Sequence, residues 1–63
     1  FDFPAFESAI SLALETTQTH AELSTWWESL KPERIKARAA DQIRAGQSAT
    51  LVNEKLAELS NND

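Results

Sequence analysis

The chain has 63 residues, a net charge of −4, one histidine and no cysteine. A chain of this length forms one domain, and it buries only roughly 60% of the surface of its extended form. Disulfides, cysteine-ligated metals and a zinc site built on histidines are therefore excluded, so the fold must rest on apolar packing, completed where needed by another chain.

The composition favours helices. Hydrophobic residues make up 41% and charged residues 25% of the chain, as in folded soluble domains. One glycine and two prolines are too few turn signals for an all-β fold. We predict an all-α fold, a small bundle of three to four short antiparallel helices that forms a single domain over residues 1–63. The predicted helices cover residues 4–16, 19–30, 32–45 and 48–59, and residues 60–63 form a polar tail.

Glycine and proline positions set most of these boundaries. Pro4 suits the first turn of a helix, so Phe1 and Phe3 are expected outside it, packed back on the bundle or docked on a partner. Gly46 is the only glycine and predicts a left-handed residue at the end of the third helix. Ser48 follows as the predicted N-cap of the fourth helix.

Two adjacent tryptophans lie on the apolar stripe of the second helix. Thr19 and Glu22 have the T-x-x-E spacing of a capping box, and Pro32 separates this helix from the third. We expect Trp26 inside the core and Trp27 at its edge, with the indole N–H toward water. The predicted core consists of Phe6, Ile10, Leu14, Leu23, Trp26, Leu30, Ile35, Ile43, Val52, Leu56 and Leu59.

Charge divides the chain into an acidic, a basic and an acidic segment. Residues 1–30 carry −5 with no lysine or arginine, residues 31–46 carry +3, and residues 47–63 carry −2. The third helix, whose apolar stripe of Ile35, Ala39 and Ile43 is thin, is thus a basic element in an acidic protein. It either neutralises its acidic neighbours in the bundle or offers a basic face to an acidic peptide or a phosphate backbone.

One functional alternative is a nucleic-acid-binding helix-turn-helix domain formed by residues 32–59. The stretch G-Q-S-A-T-L-V-N-E-K-L from Gly46 resembles the turn and second helix of such domains. The helix that would read DNA carries Asn53, Glu54, Lys55 and Glu58 but no arginine. The negative net charge also differs from the usual basic character of DNA-binding domains.

A second resemblance covers residues 10–33. An apolar helix ends in threonine, and an x-x-E-L stretch then leads to a tryptophan and an L-x-P-E junction. The matching residues are Thr17, Glu22, Leu23, Trp26, Leu30, Pro32 and Glu33. This pattern resembles the C-terminal helical partner-binding modules of phage single-strand-annealing recombinases. The resemblance implies a DNA-recombination protein whose module has no chemistry of its own and docks the acidic tail of a single-strand-binding protein or a partner nuclease.

We therefore expect a non-catalytic protein-interaction module rather than an enzyme, with no catalytic residue, metal or cofactor. The expected partner is an acidic or apolar peptide or helix. The predicted partner-binding residues are Trp27, Lys31, Arg34, Arg38 and Leu51. A homodimer is a further expectation, because the thin stripe of the third helix and the apolar Leu51 both leave surface to cover.

The remaining expectations concern location. No run of about 20 apolar residues is present, so we expect no membrane span. No basic stretch precedes an apolar one as in a signal peptide, and we expect a cytoplasmic protein. The chain starts with Phe1 rather than methionine, which suggests a trimmed or processed chain, or a part of a longer protein.

Overall fold

Four α-helices form the part of the chain that the structure describes. The structure is a computed structural model that describes the backbone of residues 1–62 and the side chains of residues 1–61. The helices are α1 (Phe3–Thr16), α2 (His20–Ser29), α3 (Lys31–Ala40) and α4 (Gln42–Asn62), and the described residues contain no strand. The all-α prediction is confirmed. The 21-residue α4 packs against each of the other three helices and, at about 31 Å, spans most of the 35 Å length of the molecule.

The first helix begins one residue earlier than predicted. The carboxylate of Asp2 accepts a hydrogen bond from the backbone N–H of Ala5 at 3.1 Å, which makes Asp2 the N-cap. Phe3 is therefore helical and buried, so the prediction that it lies outside the helix is wrong. Its ring meets that of Phe1 edge-on with centroids 4.9 Å apart, and Phe1 meets Phe6 at 5.3 Å.

The second helix begins as predicted. The backbone N–H of Glu22 donates to the Thr19 hydroxyl at 3.1 Å, and the Glu22 carboxylate accepts from the Thr19 N–H at 3.2 Å. Both halves of the capping box are thus present. Pro32 lies in the first turn of α3, and only Leu30 separates α2 from α3.

The boundary between the third and fourth helices differs from the prediction. The chain leaves the helical conformation at Asp41 alone, which has φ −157° and ψ 99°. Its carboxylate accepts from the N–H of Arg44 at 3.1 Å and caps α4. Gly46 lies inside α4 without a positive φ, and Ser48 is a buried residue of the same helix rather than its N-cap. The predicted boundaries at 45 and 48 are wrong.

The predicted polar tail is also mostly helical. α4 continues through Ser60 and Asn61 to Asn62, because no proline or glycine follows Leu59 to end it. Asp63 lies outside the described residues.

The core lies where α1, α2 and α3 meet α4. Its buried apolar side chains are Phe3, Phe6, Ile10, Ala13, Leu23, Trp27, Ala37, Val52 and Leu59. Four further residues of the predicted core, Leu14, Trp26, Leu30 and Leu56, are half-buried and pack against it. The described residues leave no buried side-chain nitrogen or oxygen without a hydrogen-bond partner.

Two core predictions are wrong, and the predicted burial of the two tryptophans is reversed. Ile35 is 60% exposed and Ile43 is 78% exposed. Trp27 is only 7% exposed, whereas Trp26 is half-buried. The inner stripe of α2 runs through Leu23 and Trp27, four residues apart, so Trp26 is turned by about 100° toward the edge of the core.

The positions of the two indoles predict unequal effects on stability. Trp27→Ala should lower the free energy of unfolding by about 3–5 kcal/mol, because it empties the largest buried side chain, and Trp26→Ala should lower it by less. Urea denaturation of the two variants measures both losses. If Trp27→Ala is unfolded in water, the milder Trp27→Phe and Trp26→Phe pair gives the ranking, and an equal or reversed ranking contradicts this core.

Replacing Gly46 by alanine should stabilise the fold. Gly46 is helical, and beyond its own turn of α4 no atom lies within 4 Å of the place that a Cβ would take. Gly46→Ala should therefore raise the free energy of unfolding by about 0.5–1 kcal/mol, since alanine restricts the unfolded chain and fits the helix. Urea denaturation measures the change. A loss of stability would instead indicate the left-handed helix end that the sequence predicts at this position.

Candidate functional site

The Arg34 side chain joins α3 to the end of α2. Its guanidinium carbon lies 4.5 Å from the centroid of the Trp27 ring, and its Nη1 donates to the Trp27 carbonyl oxygen at 3.2 Å. That carbonyl belongs to the last turn of α2 and also accepts the backbone N–H of Leu30 at 3.2 Å, so Arg34 adds a second hydrogen bond at the helix end. Arg34 therefore combines a cation–π contact with a cap on the helix end, which holds it in one place.

This contact fixes which side of α3 faces outward. With Arg34 turned toward Trp27, Ala37 packs into the core and is fully buried. From Arg34, which is half-buried at the edge of the core, a surface of α3 extends to the exposed Ile35 and Ala39. We call this surface the basic face, and it consists of Lys31, Arg34, Ile35, Arg38 and Ala39, at positions i, i+3, i+4, i+7 and i+8. Their side chains line an open groove with a volume of about 440 Å³.

Two cations of the basic face remain unpaired within the described residues. Lys31 and Arg38 form no salt bridge there. Lys36 lies outside the groove and pairs weakly with Glu33, with Nζ and Oε1 3.9 Å apart. The groove thus has positive side chains free to bind an anion.

Arg44, the remaining cation of the basic segment, is used within the fold. Its Nε and Nη2 donate to the two carboxylate oxygens of Glu7 at 2.9 and 2.7 Å, which ties the start of α4 to α1. The guanidinium carbon also lies 4.7 Å from the centroid of the Phe3 ring. The hydrogen bonds lower the pKa of the Glu7 carboxyl and raise the pKa of Arg44.

The structure places the predicted partner-binding residues in three settings. Lys31, Arg34 and Arg38 lie together on the basic face. Trp27 is buried under Arg34, and it borders a cleft of only about 30 Å³ beside Arg38. Leu51 is 53% exposed on α4 and does not line the groove.

Ile35 and Ala39 were missed as surface residues, because their spacing with Ile43 predicts a core stripe. Ile35 instead forms the apolar centre of the groove, with a cation three or four residues away on either side. One signal in the sequence pointed to this outcome. Four of the ten residues of α3 are lysine or arginine, which leaves too little apolar surface for a second buried stripe.

The groove on α3 combines positive charge with an exposed apolar side chain. The described residues contain no group of three or more histidine, cysteine, aspartate or glutamate side chains placed to hold a metal ion. Within the same part of the chain, no helix has the length and apolar character that crossing a membrane requires. An exposed isoleucine among three cations can contact carboxylates and an apolar group at the same time.

Comparison of the chain with protein-family models, with curated proteins and with solved structures found no match.

The Glu7–Arg44 pair predicts a pH dependence of stability. Because the folded state lowers the pKa of Glu7, the pair stabilises the fold above the ordinary carboxyl pKa, and this contribution is lost as the pH falls through the lowered value. The melting temperature of the wild type should exceed that of Glu7→Gln at neutral pH, and the difference should shrink on acidification. Melting curves at several pH values measure it. A difference that stays constant into acid would rule the ion pair out as its source.

Proposed function

We propose that the basic face of α3 docks an acidic peptide or helix that carries an apolar side chain, and that the domain is a non-catalytic interaction module. The observation that carries the proposal is the exposed Ile35 surrounded by Lys31, Arg34 and Arg38, in a chain whose net charge is −4. A local positive potential attracts acidic ligands, and the negative charge elsewhere on the protein repels them from the remaining surface.

The fold lowers the conformational entropy that Arg34 would lose on binding a ligand. Arg34 is already held by its ring contact and its hydrogen bond to Trp27, so little side-chain freedom is lost when a carboxylate approaches. Residues three and four apart on a helix lie about 5–6 Å from one another, which allows Lys31 and Arg38 to reach carboxylates on both sides of one apolar residue. Ile35 provides the apolar contact between them.

The resemblance of residues 10–33 to phage single-strand-annealing recombinases supports one source of such a ligand. On that basis the partner is the acidic, apolar-ended tail of a single-strand-binding protein, met in the cytoplasm during DNA recombination. The helix-turn-helix alternative loses support, because Gly46 lies within α4 and no turn occurs there. Phosphates remain a competing ligand for the same cations, so the experiment includes DNA.

The proposal predicts a peptide titration. A short synthetic peptide with aspartates flanking one phenylalanine should bind and change the tryptophan fluorescence, because Arg34 covers Trp27. Arg38→Ala should weaken binding about tenfold, the loss of roughly one charged hydrogen bond. Lys36→Ala is the matched control, since it removes the same charge from α3 outside the groove and should change the affinity by less than about twofold.

Two outcomes would contradict docking of an acidic peptide. Equal losses in Arg38→Ala and Lys36→Ala would show that binding follows net charge and not the groove. Tighter binding of a DNA oligonucleotide, with affinity falling steeply as salt rises, would favour the nucleic-acid alternative.

A further inference from the structure

A second groove opens between α1 and the junction of α2 with α3. α1 packs mainly on α4 and only slightly on α2 and α3, so a gap is left along one side of it. The gap is an open groove with a volume of about 280 Å³. Its apolar lining consists of Phe1, Ala5, Phe6, Ala9 and Leu30. None of these residues belongs to the basic face, so the two surfaces are separate.

Two alanines leave this groove open. Ala5 and Ala9 are four residues apart on the same side of α1, and both are exposed. Their short side chains do not fill the gap beside Leu30, which is half-buried. Phe6 is only 7% exposed and is fixed in the core, whereas Phe1, which meets it edge-on, is 50% exposed. The groove therefore presents apolar surface on a firm base.

Two carboxylates also line the groove, those of Asp2 and Glu33, and no lysine or arginine does. The Asp2 carboxylate is held in place by its hydrogen bond from the N–H of Ala5, and it forms no salt bridge within the described residues. Glu33 has the weak contact of 3.9 Å with Lys36. Residues 1–30 contain no lysine or arginine, so the potential in this groove is negative.

Exposed apolar surface beside carboxylates matches the side chains of arginine and lysine. Each has a hydrocarbon stem that packs on apolar surface and a positive head that binds carboxylates. The exposed part of the Phe1 ring provides a further contact for a cation. Asp2 and Glu33 would repel a phosphate backbone or an anionic membrane, so charge selects a basic protein segment as the occupant.

We infer that this surface, the acidic groove, binds a basic segment of a partner protein in which arginine or lysine lies beside an apolar side chain. The apolar side chain contacts Ala5, Ala9 and Leu30. The positive head binds the carboxylates of Asp2 and Glu33. The acidic groove and the basic face share no residue, so the domain binds a basic and an acidic ligand at separate places. Opposite charge keeps each ligand on its own surface.

A titration with a basic peptide tests this assignment. The probe is a short synthetic peptide, blocked at both ends, in which two arginines flank one leucine. Its addition to the isotope-labelled protein should shift the backbone amide signals of Ala5, Ala9 and Leu30 in NMR spectra, and the shifts give the dissociation constant. The amide signals of Ile35 and Ala39 on the basic face should stay in place.

Charge variants locate the bound peptide. Asp2→Asn keeps the cap of α1, because asparagine caps a helix about as well as aspartate does, and Glu33→Gln keeps the size of that side chain. The two changes together should weaken binding about tenfold, as expected for the loss of a charged hydrogen bond. Glu15→Gln with Glu54→Gln is the matched control. It removes the same charge outside the groove and should change the affinity by less than about twofold.

A steric variant tests the apolar part of the groove. Ala9→Leu fills the gap without changing charge and should weaken binding several-fold. Ala57→Leu makes the same change on α4 outside the groove and should leave the affinity as it is. Both alanines are exposed on helices, so both variants should fold, which circular dichroism checks.

Four results would overturn the inference. The basic peptide could leave the signals of Ala5, Ala9 and Leu30 unshifted, or the charge control could weaken binding as much as the groove variant. Ala9→Leu could bind as tightly as the wild type. The same three signals could also shift when the protein alone is concentrated, because a second copy of the chain would then be the occupant.

Discussion

The contact of Arg34 with Trp27 sets how α3 lies on the bundle. A guanidinium over a buried indole and bonded to a carbonyl of the same residue cannot be moved to solvent without uncovering the ring and losing that hydrogen bond. This contact directs Ala37 inward and Ile35 outward. The orientation of the basic face is therefore a consequence of how the core is covered, and one residue serves both the fold and the surface.

The cations of residues 31–46 also fall into two groups, those paired within the fold and those on the basic face. Of the cations in residues 31–46, Arg44 is held by Glu7 and Lys36 lies beside Glu33, so both are neutralised by neighbours, as one interpretation of the sequence suggested. Lys31 and Arg38 are not paired in this way within the described residues, as the other interpretation suggested. The first interpretation is supported for Arg44 and Lys36, and the second stays a prediction for Lys31 and Arg38.

Local signals explain what could be predicted from the sequence. The T-x-x-E capping box acts through neighbouring backbone groups and predicted the start of α2 correctly, whereas the proline argument placed the next junction at Lys31, one residue after the observed break at Leu30. The break at Asp41 was missed because it depends on packing against the rest of the bundle, and the only glycine drew the predicted helix end to Gly46 instead. The predicted burial of the two tryptophans was wrong for a similar reason. Periodicity placed both on one stripe, but Arg34, seven residues further on, selects which ring is covered.

Ala37 is the only fully buried residue of α3, and a methyl group anchors a helix weakly. Segments with little buried apolar surface open locally at a lower free-energy cost than the whole domain. α3 is thus the helix best able to lift away briefly, which would uncover the indole beneath Arg34. A ligand bound on the outer side of α3 would restrain that opening. Binding at the surface would therefore reduce motion around the buried indole without changing the average structure.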